Sequence, residues 1–307
     1  MSRYLFRRIG FVAITFFTVV SLVFFMLRAA PGGPFDGERQ LPPEIEANLR
    51  AAYNLDAPLP SQYLTYWLNL SQGNLGPSFR HKDFTVNDLI ASGLPVSAKL
   101  GGLALLLGTL LGLSVGTLAG LNQQRFLDRF LMTISNINLA IPTIVSAPLL
   151  VLVFSVMLRW LPGGGADTGL HFLLPSIALA LPLSAEIARL TRGSVAEAKL
   201  EPHVVTALSK GLSRTRITLR HIMPIAIIPV LSFLGPAAAG LLTGTVVAEQ
   251  IFDLPGIGRY YVQAALNRDY TLVMGVTIVY AAAILTFNLI VDLLYGYFDP
   301  RIRAVGS

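Results

Sequence analysis

Apolar residues run along this chain in six long windows free of Asp, Glu, Lys and Arg: Ile9–Leu27, Leu100–Gln124, Phe130–Leu158, Thr168–Ala185, Ile222–Ala248 and Thr271–Val291. The runs are continuous rather than alternating, which excludes the apolar-out, polar-in strands of a membrane barrel. About 20 apolar residues in a helix cross the hydrocarbon of a bilayer. Lipid offers no partner to a free N–H or C=O, so each window predicts a helix. The pattern therefore predicts an all-α polytopic membrane protein with six transmembrane helices. Arg3, Arg7 and Arg8 precede the first window, as in a signal peptide. That window is 19 residues long, however, and Leu27-Arg28-Ala29-Ala30-Pro31 is a poor cleavage site, so 1–28 reads as an uncleaved first helix.

Charge fixes which way the helices point. With the N-terminus inside and the helices alternating, 14 Lys and Arg fall on the cytoplasmic side: Arg3, Arg7, Arg8, Arg125, Arg129, Arg189, Arg192, Lys199, Lys210, Arg214, Arg216, Arg220, Arg301 and Arg303. The short external loops hold three: Arg159, Arg259 and Arg268. The remainder flank or lie in one long loop, which the positive-inside rule discounts. Both termini are thus expected in the cytoplasm. Composition agrees, with 53% hydrophobic and 13% charged residues, against about 25% charged in soluble domains. Mean hydropathy is +0.63. A water-soluble enzyme and a disordered chain are both excluded. Cysteine is absent, which removes disulfides and thiolate metal sites.

The chain divides into the first helix (1–28), an external segment (29–96), a transmembrane domain (97–298) and a cytoplasmic tail (299–307). In the external segment, Pro43-Glu44-Ile45 predicts a short helix, and Ser61 is a candidate cap for a second over Gln62–Leu70, carrying Tyr63, Tyr66 and Trp67. The segment reads either as a cap packed on the bundle or as a docking surface or lid. Two external turns, Leu161-Pro162-Gly163-Gly164-Gly165 and Leu254-Pro255-Gly256-Ile257-Gly258, require tight backbone, for which reversal of direction is reason enough.

The cytoplasmic stretch 192–224 is the most informative. Ala196–Leu208 has helical character broken by Pro202, with Val204, Val205, Ala207 and Leu208 as a small apolar face. Gly211 stands where a helix C′ glycine would. Ser213 is placed to cap a second short helix through Leu219, and Pro224 marks entry to the fifth span. Six Lys or Arg and two acids lie between Arg192 and His221. This basic helix–glycine–helix either rests on anionic lipid or fits a groove on another protein.

Inside the bundle, Gly108, Gly112, Gly116 and Gly120 repeat every four residues, which lets another helix approach closely, whether internal or from a second subunit. Asn136, Asn138, Pro142 and Pro148 mark the third span as bent, suited to a pathway wall or to helix–helix hydrogen bonding. Glu186, Glu249 and Asp292 are acids near spans. The expected partners of Glu186 are Arg189 or Arg192, Glu249 closes the fifth span at its external edge, and Asp292 lies near the exit of the sixth. A proton relay is disfavoured because none of the three is central. No phosphate loop, zinc helix or serine elbow is present, so catalysis is not expected.

Thr206-Ala207-Leu208-Ser209-Lys210-Gly211, followed by Arg220-His221-Ile222-Met223-Pro224, resembles the "EAA" loop of permease subunits in binding-protein-dependent ABC importers. The alanine lies four residues before the glycine and the proline about a dozen after it. The glutamate that names the pattern is absent, with Val205 near its place. Arg28-Ala29-Ala30-Pro31-Gly32, Gly73-Asn74-Leu75-Gly76-Pro77-Ser78, both external turns and Asn267-Arg268-Asp269-Tyr270 are similar to the B-type permeases of peptide and nickel importers. Val86–Ser92 and Pro95–Gly101 are similar to the oligopeptide branch. The resemblance covers essentially the whole chain.

The resemblance implies a type I importer permease of the bacterial inner membrane. It implies a homologous second permease, two cytoplasmic ATP-binding subunits that hold ATP and Mg, a periplasmic peptide-binding protein and a peptide substrate. Lipid surrounds the chain, which binds no cofactor itself, and no nucleic acid is implied. Val205, Thr206, Ala207, Leu208, Lys210, Gly211, Arg214 and Pro224 would form the ATPase-coupling loop. Asn136, Asn138 and Pro142 are pathway candidates, and Leu254, Pro255, Gly256 and Gly258 would face the binding protein. A dipeptide or nickel permease is the alternative within the family. A proton-coupled secondary transporter using Glu186 or Asp292 is the alternative outside it.

Overall fold

The computed structural model describes residues 2–30, 56–81 and 83–298. The helix anticipated at Pro43–Ile45, the tail 299–307 and the side chain of Asp292 lie outside what it describes. Among the described residues the fold is all helical, with four helices long and apolar enough to cross a membrane, and up to six if two bent pairs each make one span.

Helix α1 covers Ser2–Ala29 and α2 covers Leu59–Ser71. Helix α2 starts two residues before Ser61, which is inside the helix rather than its cap, because Pro60 already supplies first-turn geometry. The aromatic residues of α2 pack on α1. Phe17 and Trp67 stack with centroids 5.1 Å apart, the hydroxyls of Ser21 and Tyr63 bond at 2.7 Å, and Arg28 Nε donates to Gln62 Oε1 at 2.9 Å. Val20, Phe24, Met274 and Ile278 bury beneath them. This part of the external segment is a packed cap.

Helix α3 runs over Val86–Leu121, 36 residues, and so begins well before the uncharged window at Leu100. Its start is set by a reciprocal cap: Thr85 Oγ1 accepts from the Asp88 amide, and the Thr85 amide donates to Asp88 Oδ2 at 2.9 Å. The first turns of α3 therefore belong to the bundle, not to the external segment ending at 96. The third window splits into α4 (Phe126–Ala140) and α5 (Thr143–Leu150), the latter continued by a π-helical stretch over Val151–Met157. The two limbs meet at 103°. Pro142 sits at the junction in extended conformation, where it cannot donate to the preceding turn.

Helix α6 (Leu173–Ala198) is the central element. All four glycines of α3 meet it. A Cβ on Gly108 would fall 2.7 Å from Leu183 Cδ2, on Gly112 2.6 Å from Ile187 Cβ, on Gly116 2.6 Å from Thr191 Cβ, and on Gly120 2.8 Å from Val195 Cβ. The stripe thus serves an internal neighbour. Helices α7 (Pro202–Ser209), α8 (Arg214–Ile217) and α9 (Met223–Ala226) form the cytoplasmic elbow. The fifth window becomes α10 (Ile228–Ile251), bent by 53° from the helical turns before it. An amphipathic α11 (Ile257–Leu266) follows, then α12 (Tyr270–Phe298). One core cluster joins α3, α6 and α10 through Leu100, Ala104, Leu179, Ile187, Val230 and Leu241. A second joins α3, α11 and α12 through Val86, Ile90, Ile257 and Leu272.

Candidate functional site

The elbow is built by local rules. Helix α6 ends at Ala198, and Lys199 turns back so that Nζ donates to the Gly120 and Leu121 carbonyls, both at 3.2 Å. Those carbonyls end α3 and have no partner within it, so the cation fastens α3 to the foot of the elbow. Pro202 opens α7 rather than interrupting a longer helix, with Glu201 extended before it. At the other end Gly211 adopts φ +74°, the left-handed region. The Gly211 amide donates to Leu208 at 2.9 Å and the Leu212 amide to Ala207 at 3.3 Å, which together form a Schellman closure. Ser213 is extended ahead of α8, but its hydroxyl makes no capping bond. Thr218–Ile222 then form a π-helical turn, not a continuation of α8 to Leu219.

The apolar face anticipated on α7 divides in two. Val204 and Ala207 point inward and join Val195, Ala198, Ile217, Ile222 and Ala226 in a small core. Val205 and Leu208 point outward and are half exposed, at 51% and 52%, and Leu200 is 80% exposed. Lys210, Gly211, Arg214, Arg216 and Pro224 are also exposed, and Thr206 Oγ1 bonds back to the Pro202 carbonyl at 2.9 Å. The elbow thus has its own core and presents a small apolar surface rimmed by cations.

The partners anticipated for Glu186 are engaged elsewhere. Arg192 grips Asp128 with Nε at 2.6 Å from Oδ1 and Nη2 at 2.9 Å from Oδ2. The Gln124 amide adds a third bond to the same carboxylate at 2.8 Å. Arg189 donates to Asn136 at 3.3 Å. Asp128, Arg129, Met132, Asn136, Arg189 and Arg192 line a crevice of about 480 Å³. Asn138, two residues further along α4, is half-buried, and Pro142 is exposed at the bend. Asp128 passed unnoticed in the sequence because it flanks a window rather than interrupting one. Its position three residues after Arg125 in a basic loop was the available signal. A double-mutant cycle tests the link: Asp128→Ala should lower stability in detergent by about 2 kcal/mol, and should cost clearly less once Arg192→Ala is present, the remainder being the bond from the Gln124 amide.

At the opposite end the Leu254–Gly258 turn is mostly interior. Leu254, Gly256 and Gly258 are buried, while Asp253 and Pro255 face outward. Only Pro255 of the four anticipated binding-protein contacts is therefore available at the surface in this conformation. The reason is Glu249, which is fully buried. Its Oε2 accepts the Gly258 and Arg259 amides at 2.8 and 3.1 Å, and its Oε1 accepts Ser97 Oγ at 2.6 Å. Ser97 Oγ in turn accepts the Ile257 amide at 2.9 Å. Glu249 thus stands in the last turn of α10, at the external end of the fifth span as expected, but buried. It satisfies the first amides of α11 and ties α3, α10 and α11 together. Asp269 does the same for α12, accepting the Leu272 and Phe79 amides, both at 3.2 Å, and Ser78 Oγ.

Residues 108–304 match the family model described as "Binding-protein-dependent transport system inner membrane component". The chain is 48% identical over 305 residues to the oligopeptide transport system permease protein OppB of Escherichia coli K12, covering 99% of this chain and 100% of that one. It is 37% identical over 303 residues to the dipeptide transport system permease protein DppB of Bacillus subtilis, covering 99% and 98%. Among solved structures, a crystal structure of an amino acid ABC transporter with histidines superposes with a TM-score of 0.52 at 22% identity, over 68% of this chain and 93% of that one. This last likeness speaks to the fold alone.

Proposed function

Because the chain belongs to the family of inner membrane components of binding-protein-dependent transport systems, we propose that it forms one half of the pathway of an oligopeptide importer. It is an ABC-type peptide permease subunit, a multi-pass protein of the bacterial inner membrane whose role is transport rather than catalysis, and it works within a multi-subunit complex. The oligopeptide reading is favoured over the dipeptide one by the higher identity, 48% against 37%. A homologous second permease completes the pathway, two cytoplasmic subunits hold ATP and Mg, and a periplasmic protein delivers peptide. The permease domain over 97–298 contains the coupling loop at 192–224, and Asn136, Asn138 and Pro142 belong to the pathway side.

The observation that carries this reading is the elbow. Val205 and Leu208 stand exposed beside Lys210 and Arg214, on a helix sealed by a left-handed glycine and backed by its own buried core. A surface of this kind seats in an apolar groove with an acidic rim, such as one on an ATPase subunit. The cation at Lys199 and the core below carry any displacement of the elbow into α3 and α6. A ligand shifts a conformational balance only through differential binding, which nucleotide closure of the partner supplies.

The test is Gly211→Val. A β-branched residue resists φ +74°, costing about 1–2 kcal/mol locally, while nothing lies within 4 Å of the added Cβ. The variant should insert and extract normally yet lose most peptide uptake and most copurifying ATPase. Uptake at the wild-type rate would remove the elbow from the coupling path.

A further inference from the structure

Glu186 is the one acid of α6 that faces a cavity inside the transmembrane region. The cavity, about 330 Å³, lies between α5, α6 and α10 and is lined by Thr143, Pro182, Glu186, Phe233, Pro236 and Gly240 among others. Among the described residues its lining includes no Lys, Arg or His. Arg192 is committed to Asp128, and Arg189 donates to Asn136. Among the described residues no ion pair reaches Glu186. Glu186 is exposed at the open side of this concavity, so its carboxylate stands within reach of a ligand, and an acid within a membrane span is a functional candidate by default.

The remaining polar groups of the wall share one character. Thr143 offers a hydroxyl oxygen. Pro182 and Pro236 carry no N–H, so they add no backbone donor to the wall. Phe233 adds an aromatic wall, which attracts a cation at its face. Acceptors and a ring, with no donor cation, describe a site for an ammonium group.

Resting on the peptide-permease reading, we propose that this cavity is a subsite for the α-ammonium of the travelling peptide, with Glu186 as its counter-charge. Glu186 forms the charge-assisted bond and the Thr143 hydroxyl accepts a second N–H. Gly240, where a Cβ meets nothing within 4 Å, keeps the α10 wall low enough for the first peptide residue.

The experiment uses the complete purified importer, without binding protein, carrying a photo-crosslinking side chain at position 240. It is offered a labelled peptide with a free amino terminus or its N-acetylated copy. The free-amine peptide should be captured about tenfold more than the acetylated one, the worth of one charge-assisted bond. Glu186→Gln should bring the ratio to near one, and Glu186→Asp should restore a preference. Equal capture of both peptides by the wild type, an unchanged ratio in Glu186→Gln, or capture of the second permease in place of peptide would overturn the proposal. Stimulation of wild-type ATP hydrolysis by peptide-loaded binding protein tests the permease reading separately. Stimulation together with equal capture removes the subsite and leaves that reading standing, whereas its absence removes the reading.

Discussion

Gly116→Leu should abolish recovery of folded protein from the membrane, while Gly102→Leu on the same helix should not. At Gly116 an added Cβ falls 2.6 Å from Thr191 Cβ and 3.0 Å from Ala188 Cα. The second of these is backbone of α6 and cannot rotate away. At Gly102 nothing lies within 4 Å. Overpacking a tight site costs about 1–3 kcal/mol where neighbours can yield. Here α3 must move bodily, and the contacts at Gly108, Gly112 and Gly120 are lost with it. In lipid, packing itself drives helix association, so no hydrophobic term compensates. The measurement is the monodisperse fraction after detergent extraction, with trypsin sensitivity as the second readout. Normal yield of Gly116→Leu would mean that α3 and α6 do not meet along this stripe.

The second large effect is expected at Glu249. Glu249→Leu should lower stability by roughly 3–5 kcal/mol, because two amides and a hydroxyl lose their acceptor at about 1–3 kcal/mol each, with partial relaxation. Glu249→Gln should be mild. Its carbonyl can take the Gly258 and Arg259 amides while its NH₂ donates to Ser97 Oγ, so that only the Ser97 hydroxyl proton loses its acceptor. Hydrogen exchange at Gly258 and Arg259 reads this locally: protection lost in the Leu variant and retained in the Gln variant. If charge rather than hydrogen bonding held the knot, the two variants would fail alike.

These two sites show what the sequence made legible and what it did not. A four-residue glycine spacing announces close contact, because contact depends only on the missing side chains. It is silent on the partner, which depends on how the chain returns, and α6 emerges only from the fold. Gly211 is legible for a different local reason, the left-handed backbone that ends a helix. The start of α3 was missed because a search for uncharged windows stops at Lys99, whereas the helix is set by Thr85 and Asp88, a polar pair that such a search passes over. The place of Glu249 at the external end of the fifth span is legible in the sequence, but its burial is not. Its burial depends on Ser97, 152 residues away, and on amides that become donors only once α11 exists. The pairing of Arg192 with Asp128 rather than Glu186 follows from the antiparallel packing of α4 on α6, which a helical-wheel argument within one segment does not see. Pro142 was legible as a bend, but the 103° angle was not, since it depends on what each limb packs against.

The amino group of Lys199 has a consequence at the far end of α3. Between Gly120, where it holds the helix, and Ser97, where the helix bonds to Glu249, lie about 35 Å of α-helix at 1.5 Å per residue. Glycine contact with α6 stiffens that length into a beam. Tilting such a beam by about 5° sweeps its outer tip through roughly 3 Å, the length of one hydrogen bond. A modest angular movement at the inner face is therefore enough to part Ser97 from Glu249 and Ile257, so the outer knot can open in register with the inner elbow without any helix unwinding.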